Sequence, residues 1–113
     1  MDTPKKIKLM ADYECWCLWD MENIDNLDPE KLPISKSLKQ SLSLWECEYD
    51  ATLNRNDPIK SGFKSYESFQ TFNAMGNNLF KKLLQELPDS EIFYHPVQKF
   101  IEKDRKRGAI FKK

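Results

Sequence analysis

Glycine is scarce in this chain, with three (Gly62, Gly76 and Gly108) among 113 residues. That nearly excludes a phosphate-cradling loop, which needs several glycines so that backbone N–H groups can close around the anion. Histidine is scarcer: His95 stands alone, so no paired-histidine metal motif forms, and no Ser-centred nucleophile elbow is present. The three cysteines, Cys15, Cys17 and Cys47, cannot all pair internally, and the first two are one residue apart, so a disulfide framework is not expected and a reducing cytosol fits. No apolar run approaches the roughly 20 residues a bilayer span requires. The first eight residues carry charge without the apolar stretch of a signal peptide. These absences predict a cytoplasmic protein that is not an enzyme, holds no cofactor or metal and spans no membrane.

What remains is enough apolar material for one core. Hydrophobic residues make up 40% of the chain and aromatics 12%, enough to offset chain entropy, while 32% charged residues keep the surface solvated. The length predicts one domain over residues 1–113, with its core at about 5–95 and a basic extension over 96–113. Charge balances at 18 against 18 but unevenly. Residues 1–50 hold 11 acidic and 6 basic side chains, net −5, and residues 51–113 hold 7 and 12, net +5. A segment of one dominant sign steers an oppositely charged partner.

Ile7, Leu9 and Ala11 alternate with Lys6, Lys8, Met10 and Asp12, a period of two that predicts a strand over residues 5–13. Residues 14–33 carry Trp16, Trp19 and a run of acids between Asn and Pro turn formers, which predicts an ordered acidic loop. Ser35 caps a helix over 36–53 whose stripe is Leu38, Leu42, Trp45 and Tyr49. Ser65 caps a second helix that reaches Pro88, with Phe69, Phe72, Leu79, Phe80, Leu83, Leu84 and Leu87 facing the core and Gly76 marking a close packing contact. Residues 91–95 form a strand expected to pair with the first, and Val97, Phe100 and Ile101 suggest a short third helix. The expected architecture is α+β: a small two- or three-stranded sheet packed against a helical hairpin, with a short C-terminal helix or arm. An open sheet edge leaves room for pairing in a homodimer.

Four groups of residues invite a chemical reading. Cys15 and Cys17 could bind zinc or exchange disulfides, but one intervening residue is too few for either, so structural thiols are expected. His95 with Asp12, Asp20 or Asp50 could form an acid–base pair, though a strand-end histidine before proline is more often a boundary residue. Lys99, Lys103, Arg105, Lys106 and Arg107 could touch phosphates, as in a small regulatory or nucleic-acid-binding module, but Glu102 and Asp104 interrupt them. The set with most weight is acidic and aromatic: Asp12, Glu14, Asp20, Glu22, Asp25, Asp28 and Glu30 around Trp16 and Trp19. Carboxylates on a fixed loop imitate a phosphate backbone, and tryptophan is the residue most enriched at interface hot spots. Asp50, Asn54, Arg55 and Asp57 are expected to hold the loop between the helices.

These residues also carry a resemblance. KIKLMADY at residues 6–13, Cys15 with Leu18 and Trp19, DATLN at 50–54, Asp57-Pro58 and SGF at 61–63 resemble a family of small bacterial proteins, over roughly residues 6–94. That family is similar to immunity proteins of contact-dependent inhibition type, which neutralise polymorphic toxins. Cys17 departs from it where proline is usual, as does the basic extension after Tyr94. The resemblance implies a cytoplasmic immunity protein that occludes the active site of a cognate toxin, a nuclease by the charge reading. Its contacts would be Trp16, Trp19, Asp20, Glu22, Asp25 and Asp28, with no direct nucleic-acid binding.

Overall fold

The computed structural model describes residues 3–53 and 62–98. The chain starts in strand β1, Lys6–Leu9, where Ile7 and Leu9 turn fully inward and Lys6 and Lys8 face outward. β2, Leu18–Asp20, and β3, Asp25–Leu27, form a hairpin closed by a four-residue turn. A single 3-10 turn, Pro29–Lys31, then leads into helix α1, Lys36–Asp50. Helix α2, Tyr66–Glu86, returns the chain to β4, Glu91–Tyr94.

The sheet has the order β3-β2-β1-β4, with β1 antiparallel to β2 and parallel to β4. A parallel partner cannot be reached by a tight turn, and the two helices supply the long connection that brings β4 alongside β1. Ile7 pairs with Ile92 and Leu9 with Leu18, so the inward row of the sheet meets Leu38, Leu42 and Trp45 of α1 and Phe72, Leu79 and Leu83 of α2 in one core.

Both expected helix caps are present. Ser35 Oγ accepts from the Leu38 N–H at 3.1 Å and Ser65 Oγ from the Ser68 N–H at 3.0 Å. Ser35 also donates its hydroxyl to Glu86 Oε2 at 2.8 Å, and its N–H to the other oxygen, which ties the end of α2 to the start of α1.

Gly76 is a close packing contact. A Cβ there would meet the Tyr94 hydroxyl and lie 2.7 Å from Trp45 Cζ2. The two rings crowd this point because both bond to the α2 backbone: Trp45 Nε1 donates to the Phe72 carbonyl at 2.9 Å and Tyr94 Oη to the Asn73 carbonyl at 2.9 Å. Burial pushes the Tyr94 hydroxyl up to about 12.

The α+β class, both helices and the pairing of the first strand with residues 91–94 match the sequence-based expectation. The sheet differs by having four strands, because the acidic segment contains β2 and β3. Strands of three residues are too short to display a period of two, and Asn23 and Asn26 read as loop. β1 stops at Leu9 and α1 at Asp50, both earlier than expected. Leu84 is exposed, since it sits one helical step beyond the inward stripe of Phe72, Gly76, Leu79 and Leu83. Asn54, Arg55 and Asp57, Lys99 to Arg107 of the basic run, and Phe100 and Ile101 of the expected third helix lie outside the described residues.

Candidate partner-binding surface

The segment between β1 and β2 is strapped down from two sides. On one side Asn26, in β3, brackets the backbone of Trp16: its Oδ1 accepts from the Trp16 N–H at 2.9 Å, while its Nδ2 donates to the Trp16 carbonyl at 2.8 Å and the Leu18 carbonyl at 3.2 Å. On the other side α1 supplies two carboxylates, Glu46 accepting from the Cys17 N–H at 3.0 Å and Asp50 from the Glu14 N–H at 2.8 Å. Tyr13 stacks on Tyr49 at 4.5 Å between ring centroids, and its hydroxyl pairs with Thr52 Oγ1 at 2.9 Å. Glu14 has a φ of 58°, the left-handed step that turns the chain here. The result is an ordered loop from which the Trp16 indole projects, 44% exposed.

The same strapping concentrates negative charge. Asp12 and Glu14 come from the loop, Asp28 from the start of the 3-10 turn, and Glu46 and Asp50 from α1. Their fields overlap: burial, then Asp12, Asp50 and Glu14, push the Cys15 thiol up. Burial raises Glu46 too, offset in part by the Cys17 N–H and reinforced by Asp50 and Asp28. Burial first and Glu46 second push Cys17 well above the usual thiol range. Thiols held neutral are poor nucleophiles and poor metal ligands. Among the described residues no group of three or more His, Cys, Asp or Glu side chains is placed to hold a metal ion. Cys17 is the buried structural thiol that was expected; Cys15 is half-buried, whereas Cys47 is exposed on α1, away from the inward stripe. His95 follows β4 as an exposed boundary residue, its N–H donating to the Leu9 carbonyl at 2.9 Å.

The six residues anticipated as contacts are separated by the hairpin. Trp16 and Asp28 lie at its open end, where Asp28 also accepts from the Glu30 N–H at 3.0 Å. Asp20, Glu22 and Asp25 lie at the turn, where the Met21 N–H reaches the Lys6 carbonyl. Trp19 sits between them on the outer sheet face, opposite Lys8 and Asn26, with Nε1 donating to the Met10 carbonyl at 3.1 Å. Glu22 and Asp25 are exposed, but Asp20 is only 6% exposed. Its carboxylate accepts from Asn23 Nδ2 at 2.9 Å and from the N–H groups of Glu22 and Asn23 at 3.0 and 3.2 Å. These bonds, the Asn23 side chain first, lower its pKa. Asp20 therefore builds the turn, with Glu22 and Asp25 as the carboxylates that face solvent there.

Glu46 joined the acidic end without being anticipated, and the carboxylate of Asp50, expected to hold the loop between the helices, bonds the Glu14 N–H of the loop between β1 and β2. Their spacing holds a weak signal: each follows a stripe residue, Trp45 and Tyr49, so the pair flanks the buried face of α1 one turn apart. No pattern within α1 says which loop they meet.

The chain belongs to the Serratia CdiI immunity protein-like family, which matches residues 5–97. No curated protein matches it. Among the described residues no helix is long and apolar enough to cross a membrane.

Proposed function

We propose that this chain is an immunity protein that binds a cognate bacterial toxin, most simply a nuclease, and neutralises it in the cytoplasm by occluding its active site. The observation that carries this is Trp16, a half-exposed indole on a backbone pinned by Asn26, in a loop whose flanking residues Cys15 and Cys17 feel the carboxylates of Asp12, Glu14 and Asp50 and of Glu46. Such a surface binds with little loss of freedom, because the loop is ordered beforehand. The indole supplies an apolar anchor, and the carboxylates oppose the cations that a nuclease cleft uses to hold phosphates. Glu22 and Asp25 extend the acidic surface along the hairpin, with Trp19 between the ends and Asp20 and Asp28 shaping the backbone that presents them. No turnover or cofactor enters this mode of action.

The test is titration calorimetry and inhibition of the domain encoded immediately upstream. A tight one-to-one complex that blocks that domain's activity is expected. Trp16→Ala should weaken it tenfold or more, and Glu22→Lys with Asp25→Lys should slow association at low salt. Binding of nucleic acid by the chain alone, lost on truncation after Tyr94, would instead favour the basic C-terminal segment as the working surface.

A further inference from the structure

The turn joining β2 to β3, residues 21–24, holds a conformation its own sequence disfavours. Ile24 has a φ of 55°, in the left-handed region where Cβ crowds the following carbonyl and a β-branched residue is a true outlier. Glycine or asparagine is the usual occupant of such a position, and the chain places Asn23 one residue too early for it. The Ile24 side chain gains little packing in return, being 87% exposed, and Met21 beside it is 43% exposed. Asp20 enforces the conformation from beneath, its buried carboxylate gathering the Glu22 and Asn23 N–H groups and the Asn23 side chain. The left-handed step closes the hairpin, but closing it does not call for an isoleucine, and a strained residue that shows its apolar side chain to water is of the kind that gathers at ligand-contacting sites.

We propose that Ile24, with Met21 beside it, is an anchor that enters an apolar socket on the cognate toxin, while Glu22 and Asp25 meet cations at the rim of that socket. The inference rests on the immunity reading above and adds to it a second point of attachment, at the opposite end of the hairpin from Trp16. The partner it defines carries two features set apart by more than the strand itself, roughly 13 Å or more for the four residue steps from Trp16 to the turn: a basic cleft that takes Trp16 and a shallow apolar socket ringed by lysine or arginine. Ile24 suits an anchor because a β-branched side chain on an already ordered backbone loses few rotamers on docking.

The test pairs stability with binding in the full chain. Ile24→Asn places a residue that tolerates the left-handed region, so the melting temperature of the free protein should rise by a few degrees, on the order of 4 °C. Its affinity for the upstream-encoded domain, measured by calorimetry, should fall tenfold or more. Ile24→Val, which keeps the branched apolar shape, should bind within a few-fold of wild type. A raised melting temperature with unchanged affinity overturns the anchor, and so does a lowered melting temperature, which would show Ile24 serving the fold. If Trp16→Ala weakens binding and Ile24→Asn does not, the immunity reading stands and this inference falls. If the wild-type chain does not bind that domain, the immunity reading itself falls and takes this one with it.

Discussion

The side-chain amide of Asn26 closes a pair of hydrogen bonds on the backbone of Trp16, accepting from its N–H at 2.9 Å and donating to its carbonyl at 2.8 Å. The amide acts as one more strand residue would, extending the β2–β3 ladder beyond Leu18 and Leu27 without a third strand. An exposed tryptophan is thereby held on ordered backbone. Asn26→Ala should lower stability by about 1–2 kcal/mol, because these bonds lie in partly exposed surroundings. The amide proton of Trp16 should exchange with solvent markedly faster, and exchange no faster than in wild type would show that the bracket does not hold the loop.

Gly76 lies in α2, where alanine would ordinarily be preferred by about 1 kcal/mol. Here the added methyl meets Trp45 Cζ2 at 2.7 Å and Tyr94 Cζ at 2.8 Å, and both rings are tied to the α2 backbone and cannot retreat freely. Overpacking should win, so Gly76→Ala is expected to destabilise the protein by about 1–3 kcal/mol in urea titrations. Neutral or positive behaviour would mean that the Trp45–Tyr94 contact yields.

Glu46 and Asp20 depart from ordinary carboxyl behaviour in opposite directions. Burial holds Glu46 above 4.5, so the native state binds its proton more tightly than the unfolded chain, and stability from this group falls as pH rises from 4.5 through the folded value. Glu46→Gln removes that dependence and keeps an acceptor for the Cys17 N–H. The variant should therefore gain on wild type between pH 4.5 and neutrality, and a constant difference across that range would refute the burial account. Asp20 is lowered from 3.8, so its contribution is present above that value and lost as pH falls through the folded one, below the window of the Glu46 comparison.

Ser35 serves two elements at once, capping α1 through Leu38 and bonding Glu86 at the end of α2. Ser35→Ala should cost about 1–2 kcal/mol. Glu86→Ala should cost less, since it removes the link and leaves the cap. Equal losses, measured by chemical denaturation, would place the stabilisation in the link instead.

Much of the fold was legible because its signals are local. The stripe of Leu38, Leu42 and Trp45, the caps Ser35 and Ser65, and the alternation of Ile7 and Leu9 each lie within a few residues of chain, and each is found where the pattern put it. β2 and β3 were not legible. They are three residues long and owe their existence to pairing, β2 with β1 and β3 with β2, a relationship that short alternation does not encode.

By itself, then, the sequence determined the class of fold, the two helices and their inward faces, and the concentration of acid and tryptophan before residue 33, because these depend on periodicity and composition. Tertiary structure alone decided which of those acids act together. It buried Asp20 beneath a turn, left Glu22 and Asp25 in solvent, and brought Glu46 and Asp50 from α1 to the loop that carries Trp16. The physical reason is that a carboxylate's role follows from the N–H groups and charges within a few ångströms of it. Those neighbours, 29 and 36 residues away along the chain for Glu46 and Asp50, are chosen only when the sheet and helices pack.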